Sequence, residues 1–207
     1  MENFRLFVGV AVSNDVIRAM TPILSQLSAS LPFKRWTHPA DLHVTLHFLG
    51  DVAVNRVENL YEAMARIAQT ASPFRLQLGE LATFGQPDAP RVLWCKVSEP
   101  APAAAASIAA SQEDPLASLH DALATPLASA GFALEARPFR AHVTLARNGN
   151  AACGPAAIAA AWSEATAQSG AVAPLAWTAE RVTVFRTHIG RRPGYERLAE
   201  FPLRGAL

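Results

Sequence analysis

Leu42-His43-Val44-Thr45-Leu46-His47-Phe48 and Ala141-His142-Val143-Thr144-Leu145 carry the same tetrapeptide, His-Val-Thr-Leu, at two distant places in the chain. Both runs alternate polar and apolar residues with period two, the pattern of a β-strand with one buried face. His43 and Thr45 then share a face, as do His142 and Thr144. Val44, Leu46 and Phe48, with Val143 and Leu145 in the second copy, fall on the opposite face and pack into a core. Each copy therefore presents an imidazole beside a hydroxyl on a rigid element, which is how a reactive site keeps its groups in place.

Working outward, Arg5 to Val12 reads as a buried strand, and Ser13 or Asn14 caps a helix with its apolar stripe at Ile17, Met20, Ile23, Leu24 and Leu27. Gly50-Asp51 marks a turn. A second helix follows with its stripe at Val57, Leu60, Tyr61, Met64 and Ile67, ending near Ser72-Pro73. Strands are predicted at Phe74 to Leu81 and Arg91 to Val97 around the turn-rich segment 85–90. Leu116, Leu119, Leu123 and Leu127 stripe a third helix closed by Gly131, and Pro126 is expected to kink it or end it early. A fourth helix spans Pro155 to Gln168, and closing strands fall at Leu175 to Thr178, Arg181 to Thr187 and Tyr195 to Leu203. Helices and strands mix without regular βαβ alternation, so the expected fold is α+β, with antiparallel sheets flanked by helices. The order of helix followed by His strand occurs twice, which predicts one domain over 1–207 built of two similar, pseudo-twofold lobes, each carrying one His-x-Thr strand.

The chain has 207 residues, 51% of them hydrophobic, and a formal net charge of +1. That length buries a sizeable core. The near-neutral charge argues against a broad nonspecific nucleic-acid surface, though not against a local phosphate site. Among the basic residues only Lys34 and Lys96 are lysines; the arginines suit bidentate phosphate contacts. Cys95 and Cys153 have neither CxxC spacing nor a nearby histidine, so no zinc site or disulfide framework is indicated. With no membrane span or signal peptide legible, the expected location is cytoplasmic.

If the two strands bring their imidazoles to one ligand, one neutral histidine takes a proton from a nucleophile while the other, protonated, gives one to a leaving oxygen. An ordinary histidine pKa of about 6.5 lets both forms exist near neutral pH. Threonine hydroxyls hydrogen-bond the non-bridging oxygens of a phosphate, and Arg147, just past the second motif, adds a fixed positive charge. Such a scheme opens a phosphodiester without a metal or any other cofactor.

The two motifs resemble the paired signatures of the 2H phosphoesterase superfamily. Their surroundings narrow the likeness: Arg5-Leu6-Phe7, Arg35-Trp36, the run from Leu42 through Leu49-Gly50, Arg91-Val92-Leu93-Trp94, Pro138-Phe139-Arg140 before the second motif, and Tyr195 with Leu198. These resemble the bacterial and archaeal RNA 2′,3′-cyclic phosphodiesterases, once described as 2′-5′ RNA ligases. The resemblance implies two α+β lobes with a cleft between them and hydrolysis of a terminal 2′,3′-cyclic phosphate on RNA to a 2′-phosphate. It also implies roles: His43 as proton donor to the 3′ oxygen, His142 as the base that activates water, and Thr45, Thr144 and Arg147 as phosphate ligands. The expected partners are RNA 2′,3′-cyclic phosphate ends or small cyclic nucleotides, with no membrane and no obligate protein partner. Alternatives are 2′-5′ RNA ligation, hydrolysis of a small cyclic nucleotide, and a noncatalytic RNA-end binding module. The Ala/Pro-rich segment from Glu99 to Asp114 looks longer than the family's usual connection.

His47 shares the strand face of His43 by strict alternation and is expected to line the cleft. A shared metal is excluded on a strand, where His43 and His47 stand roughly 13 Å apart at about 3.3 Å per residue. Phe48 is expected in the core unless a bulge intervenes. Trp36 suits either base stacking or core packing. His120 and His188 read as surface or structural histidines, and Arg191-Arg192 as a solvated turn or a guide for an RNA backbone.

Overall fold

The computed structural model describes residues 2–86, 89–100, 114–149, 153–169 and 175–205. Among them lie nine strands and four helices: β1 (Asn3–Ala11), α1 (Asn14–Ser30), β2 (Arg35–Trp36), β3 (His43–Ala53), α2 (Val57–Thr70), β4 (Phe74–Gln86), β5 (Ala89–Ser98), α3 (Pro115–Ser129), β6 (His142–Arg147), α4 (Pro155–Gln168), β7 (Ala176–Ala179), β8 (Arg181–Thr187) and β9 (Tyr195–Pro202). All strand pairs are antiparallel, and the two lobes share one sheet in the order β7-β4-β5-β6-β3-β1-β8-β9, with β2 also paired to β6. The order is symmetric about its centre: β3 and β6 meet in the middle, flanked by β1 and β5, each joined to its central strand through a helix. Strand β4 follows α2 of one half yet pairs with β5 of the other, so the halves are tied together.

Only one residue pair, Val44 with Val143, joins β3 to β6. Beyond it the strands part. The short 3₁₀ turn at Pro39–Asp41 carries the chain out of the sheet, and β2 fills the place beside the far half of β6.

The helices form where the apolar stripes require. Ser13 caps α1, its hydroxyl accepting from the Val16 N–H, and Val16, Met20, Ile23, Leu24 and Leu27 are buried. They meet Val44, Leu46, Val143 and Leu145, also buried, in one core on the side of the sheet away from the threonines. Pro126 does not end α3 early: it sits in the last turn of a helix that runs on to Ser129. Closure comes from Gly131, at φ +81°, with the Phe132 N–H donating to the Leu127 carbonyl, a left-handed cap. Gly50 is not a turn: β3 continues through it to Ala53, and its φ of +70° falls where the pairing with β1 shifts register. Strands β4 and β5 extend to Gln86 and Ala89, further into the Gly/Pro-rich segment than its composition suggests. The Ala/Pro-rich connection lies for the most part outside the described residues.

Both cysteines are buried and free, and burial pushes the Cys95 thiol up to about 12. Among the described residues no helix is long and apolar enough to cross a membrane.

Candidate active site

Antiparallel pairing of Val44 with Val143 puts both valine side chains on the core side, so His43, Thr45, His142 and Thr144 all emerge together on the other side. The same pairing sets Thr45 towards His142 and His43 towards Thr144. These four residues and Arg147 line one hollow of about 150 Å³, closed by Phe7, Thr37, Phe48, Thr187 and Tyr195. The five residues singled out in the sequence are thus brought together.

Strict alternation does not account for Arg147 or Phe48, which lie three residues past Thr144 and Thr45 and would point into the core. A bulge reverses the parity in each strand. Gly9 pairs with Thr45 and Val8 with His47, leaving Leu46 unpaired against β1; Trp94 pairs with Thr144 and Leu93 with Ala146, leaving Leu145 unpaired against β5. Each bulge adds one residue to the buried side, so Leu46 and His47, like Leu145 and Ala146, are buried consecutively. His47 is therefore not in the cleft, contrary to its expected position. Its Nε2 lies 2.8 Å from the His120 carbonyl, and its ring stacks on His120 with centroids 4.2 Å apart; His120 in turn stacks on Phe139. Phe48 moves the opposite way, out of the core and into the hollow. Trp36 settles on the core side, its Nε1 donating to the Phe33 carbonyl at 2.9 Å.

The two imidazoles are held alike. Nδ1 of His43 donates to the Asp41 carbonyl, and Nδ1 of His142 to the Arg140 carbonyl, both at 2.7 Å. A carbonyl can only accept, so the proton sits on Nδ1 in each ring and Nε2 is the nitrogen left for chemistry. The Thr45 hydroxyl lies 3.0 Å from Nε2 of His43.

Their environments differ. His43 is enclosed by Phe7, Phe185 and Tyr195, with ring centroids at 4.6, 5.3 and 5.0 Å. Phe7 and Phe185, directly paired between β1 and β8, stack on each other, and the Phe185 ring reaches Gly9, where a Cβ would collide with the Val44 carbonyl. Burial pulls the His43 imidazole down to about 4; Asp41 opposes this, while His142 and Arg147 add to it. His142 stands between the edges of Phe84 and Trp94, at 5.2 and 5.6 Å, and is likewise lowered, first by burial and then by Arg147 and Arg140.

Asp41, absent from the sequence-predicted set, is a positioning residue. Only 8% exposed, it accepts from the Gly194 N–H at 2.8 Å and the Tyr195 N–H at 3.0 Å through its carboxylate while its carbonyl holds His43. One residue thus fixes the imidazole and the start of β9. The aromatic walls were partly legible: Phe7 alternates with the buried Leu6 and Val8. Nothing local marks Asp41 apart from its place two residues before His43.

A more open hollow of about 220 Å³ lies at the end of β1, beside Trp177, Arg181 and Glu200. Its arginines are already paired, Arg181 with Glu200 at 3.9 Å and Arg197 with Glu200 at 3.2 Å, so it lacks the free cation of the His-Thr hollow.

The family profile described as LigT-like phosphoesterase matches residues 10–94 and 107–195. An RNA 2′,3′-cyclic phosphodiesterase of Geobacillus stearothermophilus is 34% identical over 208 residues, covering all of this chain; the chain spans 59% of that protein's length. A protein of the same name from Bacillus subtilis is 29% identical over 198 residues, covering 95% of each. The fold resembles that of E. coli LigT solved with 3′-AMP, at a TM-score of 0.68 and 21% identity, covering 98% of this chain and 99% of that one. A Thermus thermophilus protein matches with the same TM-score at 24% identity, covering 98% of this chain and all of that one.

Proposed function

We propose, for a chain that belongs to the LigT-like phosphoesterase family, that it is an RNA 2′,3′-cyclic phosphodiesterase, opening a terminal cyclic phosphate to a 2′-phosphate without a metal ion. The observation that carries this reading is the convergence on a single small hollow of two Nδ1-anchored imidazoles, two threonine hydroxyls and one arginine without a carboxylate partner among the described residues.

In the reaction, Nε2 of His142 takes a proton from water as its oxygen attacks phosphorus. The bond from phosphorus to O3′ breaks, and O3′ leaves with the proton from Nε2 of His43. Arg147, Thr45 and Thr144 hold the non-bridging oxygens as charge builds on them. His43 must start protonated although burial disfavours its charge. The phosphate anion brings into the hollow the negative charge that favours the imidazolium. Solvent exchange resets the two rings after product leaves. The substrate is an RNA end, and the two free, buried cysteines accord with a cytoplasmic setting.

Incubation of an oligonucleotide ending in a 2′,3′-cyclic phosphate, with EDTA present, is expected to yield a 2′-phosphate end. A 3′-phosphate product would reverse the bond assignment, a strict metal requirement would overturn the two-histidine scheme, and tight binding without turnover would leave a binding module.

A further inference from the structure

Beside Arg147, on the adjoining short strand, stands a second arginine that the cyclic-phosphate reading does not use. Arg35 pairs directly with Arg147, and Trp36 with Ala146. Trp36 and Ala146 face the core, so the two arginines emerge on the site side, and Thr37, with the parity of Arg35, lines the hollow. Residues opposed in this way have Cα atoms about 4.5–5.5 Å apart, and like charges so placed destabilise a sheet. Among the described residues neither guanidinium group has an ion-pair or hydrogen-bond partner. By contrast, Arg5, Arg181, Arg186 and Arg197 each have a carboxylate within 4 Å, at 3.7, 3.9, 3.7 and 3.2 Å. One of these guanidinium groups lines the phosphate-sized hollow and the other stands exposed directly beside it, so the pair favours anions at both.

We infer that Arg35 forms a second phosphate subsite, taking the phosphodiester linkage on the 5′ side of the terminal nucleotide; this rests on the reading of the hollow as a cyclic-phosphate site. The lining residues gather around the position of the reacting phosphate, so the rest of an RNA strand leaves past them. Arg35, exposed and paired with the lining residue Arg147, is the cation next to that exit, and its planar fork suits a phosphodiester. The enzyme would then prefer oligonucleotide ends to mononucleoside 2′,3′-cyclic phosphates.

The test compares a mononucleoside 2′,3′-cyclic phosphate with a dinucleotide ending in one. Arg35→Gln is expected to raise KM for the dinucleotide about tenfold, to lower the steepness of its salt dependence by about one phosphate contact, and to leave mononucleoside kinetics unchanged. In the wild type, a neutral methylphosphonate in place of the dinucleotide's internal linkage should reproduce the same loss without touching the protein's fold. Equal losses on both substrates would assign Arg35 to the reacting phosphate. Absence of a methylphosphonate effect in the wild type would remove the subsite. If the wild type hydrolyses neither substrate, the cyclic-phosphate reading itself falls, and the subsite with it.

Discussion

Val44 and Val143 are the one pair that stands in ladder register between the two central strands, and both are fully buried. Their contact sets how far apart the imidazoles on either side of it stand. Val143→Ala is expected to cost about 1–3 kcal/mol of stability, from lost burial plus the cavity left behind. Because it also loosens the strand pairing beneath the site, kcat should fall while KM changes little. Thermal unfolding and steady-state kinetics on the same preparation check both parts.

His43→Ala and His142→Ala are each expected to lower kcat/KM for a cyclic-phosphate end by about 10² to 10⁴, and the double variant by less than the product of the two losses. Binding of the 2′-phosphate product, which needs no proton transfer, should persist in both. Calorimetry of product binding distinguishes loss of chemistry from loss of the site.

Asp41→Asn removes the one negative charge among the groups acting on His43; the others are His142 and Arg147, with Tyr195 packed on the ring. Without it the imidazole falls still lower. The limb of the pH–kcat/KM profile that His43 governs should move to lower pH while the other limb stays, and activity at neutral pH should drop. A purely structural effect would lower the whole profile without moving either limb. Losing an acceptor for the Gly194 or Tyr195 N–H should also cost about 1–3 kcal/mol in unfolding experiments.

Burial also links the histidines to stability. His43, His47 and His142 all bind protons less readily in the folded chain than at the ordinary value of 6.5. As pH falls through about 6.5 the unfolded chain takes up protons that the folded one does not, so stability drops, and for His43 the loss continues to about pH 4. Melting temperature should therefore decline from pH 7 to pH 4.5. His43→Gln, which has no imidazole to desolvate, should decline less steeply.

The element pattern was legible because apolar spacing is a local property: the stripe of α1 and the boundaries of α4 follow directly from residue order. The four His and Thr side chains were legible for the same reason, lying within two residues of each other before any irregularity. The bulges at Leu46 and Leu145 were not, since a bulge is set by the partner strand's register. That one device accounts for both misplaced residues, sending His47 inward and Phe48 outward. It also delivers Arg147 to the site, which alternation alone would have turned towards the core. Asp41 was hidden because its carboxylate partners, Gly194 and Tyr195, lie at the far end of the chain and meet it only in the fold.

The symmetry of strand order about Val44 and Val143 has a consequence for direction. A site built on a twofold axis offers the same imidazole and the same hydroxyl whichever way round a ligand enters, so it cannot by itself tell water's side of a phosphorus from the departing sugar's. Orientation has to be written in the residues that break the symmetry. Among them, Phe48 stands where the other half has Arg147, and Asp41 where the other half has Arg140. Together with the different aromatic walls around the two imidazoles, these flanking residues, and not the motifs themselves, give the site its direction.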